Sequence, residues 1–150
     1  MKKLLTVLVL ALSLGASAFS LDAKVISVTG KVEYQEGKRW TPLKKGESVE
    51  KGTVISTGYK SEVVFEVKGA QFTLGPLTRL TIEDLVSTGS KDTTQLYIDS
   101  GSIKADVNQK DGKRVGFKVR SPVATASVRG TSFTMNASGK LTVTKGLVSF

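Results

Sequence analysis

The sequence contains no cysteine and no histidine among its 150 residues. Without cysteine, the chain forms no disulfide bonds, offers no thiolate ligands to a metal and has no thiol nucleophile. Without histidine, it lacks the side chain that most often transfers protons near neutral pH and binds transition metals. The Ser-His-Asp and Cys-His catalytic groups are therefore excluded. We predict that the protein is not an enzyme and that it uses no cofactor.

Long hydrophobic runs are also scarce, and the one that exists lies at the N-terminus. A short, positively charged start is followed by a largely apolar stretch at residues 4–14 and by small residues up to Ala18. This order is typical of a secretory signal peptide, and the apolar stretch is too short to span a bilayer. We predict a cleaved signal peptide at residues 1–18 and one domain at residues 19–150. The mature chain is then expected in a bacterial periplasm or outside the cell, without a membrane-spanning segment.

The charge balance is basic. Twenty-two lysines and arginines face 13 acidic residues, so the net charge is +9. Such a charge favours anionic partners. However, the basic residues are scattered, and a nucleic-acid-binding protein usually has a denser basic stripe with interleaved aromatic residues. We therefore expect an acidic protein or an anionic glycan as the partner, and no nucleic acid.

Apolar residues recur at every second position along most of the chain from Leu21 onward, as in Val63, Phe65 and Val67. A period of two, with frequent β-branched residues and with glycines between the runs, is typical of short strands and tight turns. We predict an all-β fold of short antiparallel strands. The pattern leaves two arrangements open, a wound, solenoid-like one and a sandwich-like one.

Three segments depart from this alternation. Residues 78–86 carry apolar side chains at spacings that would allow one or two helical turns. Residues 86–94 are polar and rich in threonine and serine, and residues 108–114 have a similar composition. We predict loops at these last two segments.

Several motifs resemble those of the FecR-domain family. The most specific lies within residues 117–133, where residues 128–131 read Val-Arg-Gly-Thr. Residues 52–58 and 72–80 are also similar to family segments, although Thr53 stands where the family commonly has an aspartate. FecR-type regulators of iron-siderophore uptake have a cytoplasmic anti-sigma segment, a transmembrane helix and then this domain outside. The resemblance covers essentially the whole mature chain, and we expect here an exported domain without the other two parts.

Three residues are candidates for contact with a ligand or partner: Trp40, Arg129 and Thr131. Arg129 either pairs with a carboxylate on a neighbouring strand or binds a carboxylate or phosphate of a ligand through two parallel hydrogen bonds. Thr131 either continues the strand ladder or belongs to the same contact. Trp40 either packs at the edge of the core or provides a flat surface for a sugar or peptide.

Two functions of different classes follow from these observations. The first is a non-catalytic binding or sensing module that contacts an envelope protein, because strand edges can accept a strand from a partner. The contact is expected near residues 86–94 or at the C-terminal edge. The alternative is a cell-envelope protein that binds an anionic glycan, such as peptidoglycan, through Trp40, Arg129 and the lysines.

Overall fold

The computed structural model describes residues 21–88, 91–107, 114–146 and 148–149. The predicted signal peptide and most of the predicted loop at residues 108–114 lie outside the described residues. Within those residues, no helix is long and apolar enough to cross a membrane.

The described part of the chain forms fifteen β-strands. They are β1 (Ala23–Thr29), β2 (Val32–Glu36), β3 (Arg39–Pro42), β4 (Ser48–Val49), β5 (Val54–Thr57), β6 (Glu62–Val67), β7 (Ala70–Leu74), β8 (Arg79–Thr88), β9 (Lys91–Ser100), β10 (Ser102–Val107), β11 (Arg114–Arg120), β12 (Thr125–Arg129), β13 (Ser132–Asn136), β14 (Leu141–Lys145) and β15 (Val148–Ser149). The predicted all-β fold is confirmed.

The strands form two sheets. One has seven strands in the order β14-β13-β10-β7-β6-β1-β4, and the other has eight in the order β15-β12-β11-β9-β8-β5-β2-β3. Every pair in the seven-stranded sheet is antiparallel. In the eight-stranded sheet, β9 and β11 are parallel, which differs from the purely antiparallel prediction. The arrangement is sandwich-like.

The hydrophobic core lies between the two sheets. Phe72 of β7 stacks on Phe65 of β6 at a ring-centroid distance of 5.3 Å. It also contacts Phe117 of β11, in the other sheet, edge to face at 5.1 Å. Since all three rings are almost completely buried, this trio joins the two layers at their centre.

Two sequence predictions on β8 and β9 are wrong. Residues 78–86, predicted to allow helical turns, lie largely in β8, and the loop predicted at residues 86–94 is occupied by strand on both sides of residues 89–90. A bulge between Ile82 and Asp84 explains the first error. Because of the extra residue, the next inward-facing side chain after Ile82 is that of Leu85 and not that of Asp84. This spacing of three residues resembles the period of a helix.

Hydrogen bonds between threonine and serine residues tie together the loops that pass between the sheets. The Thr78 backbone N–H donates to Thr57 Oγ1 over 2.9 Å, and the Ser102 N–H donates to Thr78 Oγ1 over 3.0 Å. Thr57 and Thr78 are both buried. This end of the sandwich is therefore fixed by side chains as well as by packing.

Candidate functional site

Four neighbouring strands of the eight-stranded sheet, β9, β11, β12 and β15, carry a polar outer face. Phe117 and Val128 are buried in the core, so the residues beside them in sequence point to the opposite face. The outward residues form two rows across the strands. One row is Thr93, Gly116 and Arg129, and the other is Gln95, Lys118, Ser127 and Ser149.

These rows line a groove of about 690 Å³. This volume lies within the range of pockets that hold small ligands or short segments of a partner. The lining residues are Thr93, Gln95, Gly116, Phe117, Lys118, Ser127, Val128, Arg129, Val148 and Ser149.

The groove is electropositive. Lys118 and Arg129 provide two cations, whereas none of the described lining residues is acidic. The ion pairs found among the described residues involve other side chains, so neither cation is neutralised by a described carboxylate. Hydroxyl and amide groups from the same lining add further hydrogen-bonding positions. The site therefore offers charged donors to an anion.

Arg129 ends β12 and is exposed on this face. Its cross-strand neighbour is Gly116, not a carboxylate, so the ion pair considered from the sequence does not form with its β11 neighbour. Gly130 follows with φ 60°, a backbone conformation that favours glycine and turns the chain out of this sheet. The guanidinium is thus held at the end of a strand, beside the groove.

Thr131 lies in the interior, with a solvent exposure of 0%. Its hydroxyl donates to the Arg129 carbonyl oxygen over 3.0 Å. A Cβ at Gly146 would lie only 2.6 Å from Thr131 Oγ1, so the threonine is tightly packed against the crossing between β14 and β15. In this position, Thr131 supports the fold beneath the site and does not reach a surface partner.

Trp40 lies on β3, at the opposite edge of the same sheet. The guanidinium of Arg79 lies 5.7 Å from the centre of its ring, and 37% of the residue is exposed. Six strand spacings of about 4.8 Å separate β3 from β12, so Trp40 and Arg129 are roughly 30 Å apart. The structure does not bring the two predicted contact residues into one small site.

The adjacent acidic residues Glu83 and Asp84 are engaged by different cations. Arg120 Nη1 donates to Glu83 Oε1 over 2.9 Å, and Lys51 Nζ donates to Asp84 Oδ1 over 2.9 Å. No group of three or more acidic residues that could hold a metal ion occurs in the part of the chain that the structure describes. Each of these two carboxylates therefore has its own cation as partner, and the two do not face one shared site.

Sequence reasoning missed Lys118 and Gly116 as parts of the site. The signal was present in the alternation of Phe117, Lys118 and Val119, which places the lysine on the outer face. The alternation does not show that β11 pairs with β9 in parallel, because the spacing of apolar residues along one strand carries no information about which strand lies beside it.

Comparison with known protein families gives a match. The family model described as FecR protein matches residues 53–149, which is more than half of the chain. This span contains every described residue of the groove and leaves Trp40 outside. No curated protein and no solved structure has significant similarity to the chain.

Proposed function

The chain belongs to the FecR family, and on that premise we propose that it is an extracytoplasmic, non-catalytic sensing module that binds another protein. The sensing and regulatory role associated with FecR domains supports the first part of this proposal. The predicted signal peptide at residues 1–18 supports a location in the periplasm or outside the cell.

The observation that carries the proposal is the groove with two cations and no described acidic residue. Arginine is enriched in the centre of protein interfaces, where its planar group binds a carboxylate with defined geometry. After removal of the predicted signal peptide, which contains Lys2 and Lys3, the chain keeps 20 basic and 13 acidic residues, and this net charge of +7 would also accelerate the approach of an acidic partner. We therefore place the partner's acidic surface against Arg129 and Lys118.

An anionic envelope glycan is the alternative ligand. Its charge would suit the same two cations, but sugar-binding sites usually contain exposed aromatic rings on which the sugar stacks. The one aromatic residue among the described lining residues is Phe117, and it is 2% exposed. Trp40 lies at the opposite edge of the sheet, roughly 30 Å from Arg129, and cannot supply the ring. These features favour a protein partner.

Affinity capture tests this function. The full chain with an affinity tag is expressed in the cells that encode it, the cell fractions are assayed, and bound envelope proteins are quantified by mass spectrometry. We expect the protein in the periplasmic or external fraction, with one dominant partner. Arg129→Gln should reduce capture of that partner, whereas Arg79→Gln, a matched change on the same face outside the groove, should not.

Three results would contradict the proposal. The first is retention of the tagged protein in the cytoplasm. The second is equal capture of the partner by the wild type and by Arg129→Gln. The third is capture of glycan alone, released by salt, which would support the alternative ligand instead.

A further inference from the structure

Gly116 has no evident role in the fold. Among the glycines that the structure describes, it alone has neither a positive φ nor a neighbour within 3.4 Å of the Cβ position. The nearest heavy atom to a Cβ placed there is the Asp92 carbonyl oxygen, at 3.9 Å. Alanine would therefore fit without strain. Glycine inside a strand is costly because it lacks a side chain to pack and loses more conformational freedom on folding.

The missing side chain leaves a notch in the floor of the groove. Gly116 lies on β11 between Thr93 of β9 and Arg129 of β12, in one row across the outer face. Lys118 stands two residues further along β11 and points to the same face. Glycine in a strand interior often marks a place where a ligand or another backbone approaches closely. The groove lies directly above this position.

We propose that the notch at Gly116 receives an acidic, extended peptide segment of the protein partner, with one carboxylate on Arg129 and a second near Lys118. This inference rests on the proposed function and names the chemistry of its partner. The two rows of the groove are about 6.6 Å apart along the strands, which is the distance between alternate side chains of an extended peptide. A segment with acidic residues at alternate positions would place one carboxylate on each row.

The remaining lining groups suit a peptide. The Gln95 amide and the hydroxyls of Thr93 and Ser127 can hydrogen-bond to the backbone of an extended segment. Without a Cβ at Gly116, the segment can approach the sheet more closely than it could above any other residue of that row. The two cations would then act at short range, where charge-assisted hydrogen bonds are strongest.

The proposal can be tested with a display library of random short peptides. The full-length gene is expressed, and the purified protein is used as bait to select the peptides that bind it. The wild type should select peptides with Asp or Glu at alternate positions. Arg129→Gln should weaken the binding of the selected peptides by about tenfold or more, the loss expected for a charge-assisted hydrogen bond. Gly116→Val should weaken binding to a similar extent, because the valine side chain fills the notch and keeps the peptide away from the two cations. Ser56→Val, on the same outer face outside the groove, is the matched control and should bind as the wild type does.

Thermal unfolding separates a blocked notch from a damaged fold. Gly116→Val and the smaller Gly116→Ala should melt no lower than the wild type, because valine and alanine favour a strand more than glycine does. A lower melting temperature for both variants would show that Gly116 serves the fold and would overturn the proposal.

Other results would overturn it differently. Unchanged peptide affinity in Gly116→Val, or selected peptides without acidic residues, would refute the subsite while leaving protein binding possible at another surface. Failure to select any peptide, together with binding of a uronic-acid oligosaccharide that Gly116→Val abolishes, would assign the groove to glycans and refute the proposed function as well.

Discussion

Replacing Gly101 with alanine should destabilise the protein far more than an ordinary turn substitution. Gly101 connects β9 to β10 with φ +82°, and a Cβ there would overlap Thr78 Oγ1 and lie 2.5 Å from Thr78 Cα. Thr78 cannot move away easily, because it is buried and its backbone N–H donates to Thr57 Oγ1. Its hydroxyl oxygen also accepts a hydrogen bond from the Ser102 N–H.

The expected loss has two parts. The left-handed backbone conformation costs an L-residue about 1 kcal/mol. Displacement of Thr78 breaks its hydrogen bond to Ser102 and leaves a buried group unsatisfied, which costs about 2 kcal/mol. We therefore expect Gly101→Ala to lower the free energy of unfolding by about 3 kcal/mol, a large share of the stability of a typical domain.

Gly52→Ala isolates the backbone part of this effect, so the difference between the two variants gives the steric part. Gly52 has φ +88°, close to that of Gly101, but no heavy atom lies within 4 Å of its Cβ position. This control should lose about 1 kcal/mol, from the backbone conformation alone. Urea unfolding followed by circular dichroism measures both variants. Equal losses for the two would refute the packing of Thr78 described here.

Further predictions concern the core, a strained turn and the outer face. Phe72→Ala should lower the free energy of unfolding by about 4 kcal/mol in urea titration, since the ring joins both sheets; a loss below about 1 kcal/mol would contradict its central position. Leu77→Gly should raise the stability by about 0.5 kcal/mol in thermal unfolding, because Leu77 has φ 54° and is 60% exposed; a clear decrease would show that its side chain supports the fold. Arg79→Ala should alter the fluorescence of Trp40, the one tryptophan, with a stability change of less than about 1 kcal/mol; unchanged emission would argue against the cation–π contact.

Most strands could be predicted because their pattern is local. Val63, Phe65 and Val67 occupy alternate positions of β6 and face the core, as expected for a sheet with one buried face. The prediction failed in β8, where the bulge after Ile82 breaks the period. A bulge is set by pairing with the neighbouring strand, and that pairing is not visible in a single sequence.

The candidate site was predictable in part. Arg129 could be assigned to a surface because it follows the buried Val128. Thr131 would share the face of Arg129 in a straight strand, but Gly130 has a positive φ and sends the chain to the other sheet. The threonine therefore enters the interior. Neighbours in space, such as Gly116 opposite Arg129, arise from the order of the strands and required the structure.

The large distance between Trp40 and Arg129 also results from the order of the strands in the sheet. Both residues lie on the eight-stranded sheet, yet β3 and β12 stand near opposite edges of it. The sequence predicts each as a contact residue from its chemistry. The strand order, which shows that the two residues lie far apart, is known only from the structure.

The most direct test of the account is photo-crosslinking in intact cells that make the protein from its own gene. A photoreactive amino acid replaces Ser127, which lines the groove, or Ser56, which lies on the same outer face away from it. We predict one dominant protein adduct from position 127 that disappears when Arg129 is changed to glutamine, and none from position 56. An adduct from position 56 alone, or an adduct at position 127 that persists without Arg129, would contradict the assignment of the groove as the binding site.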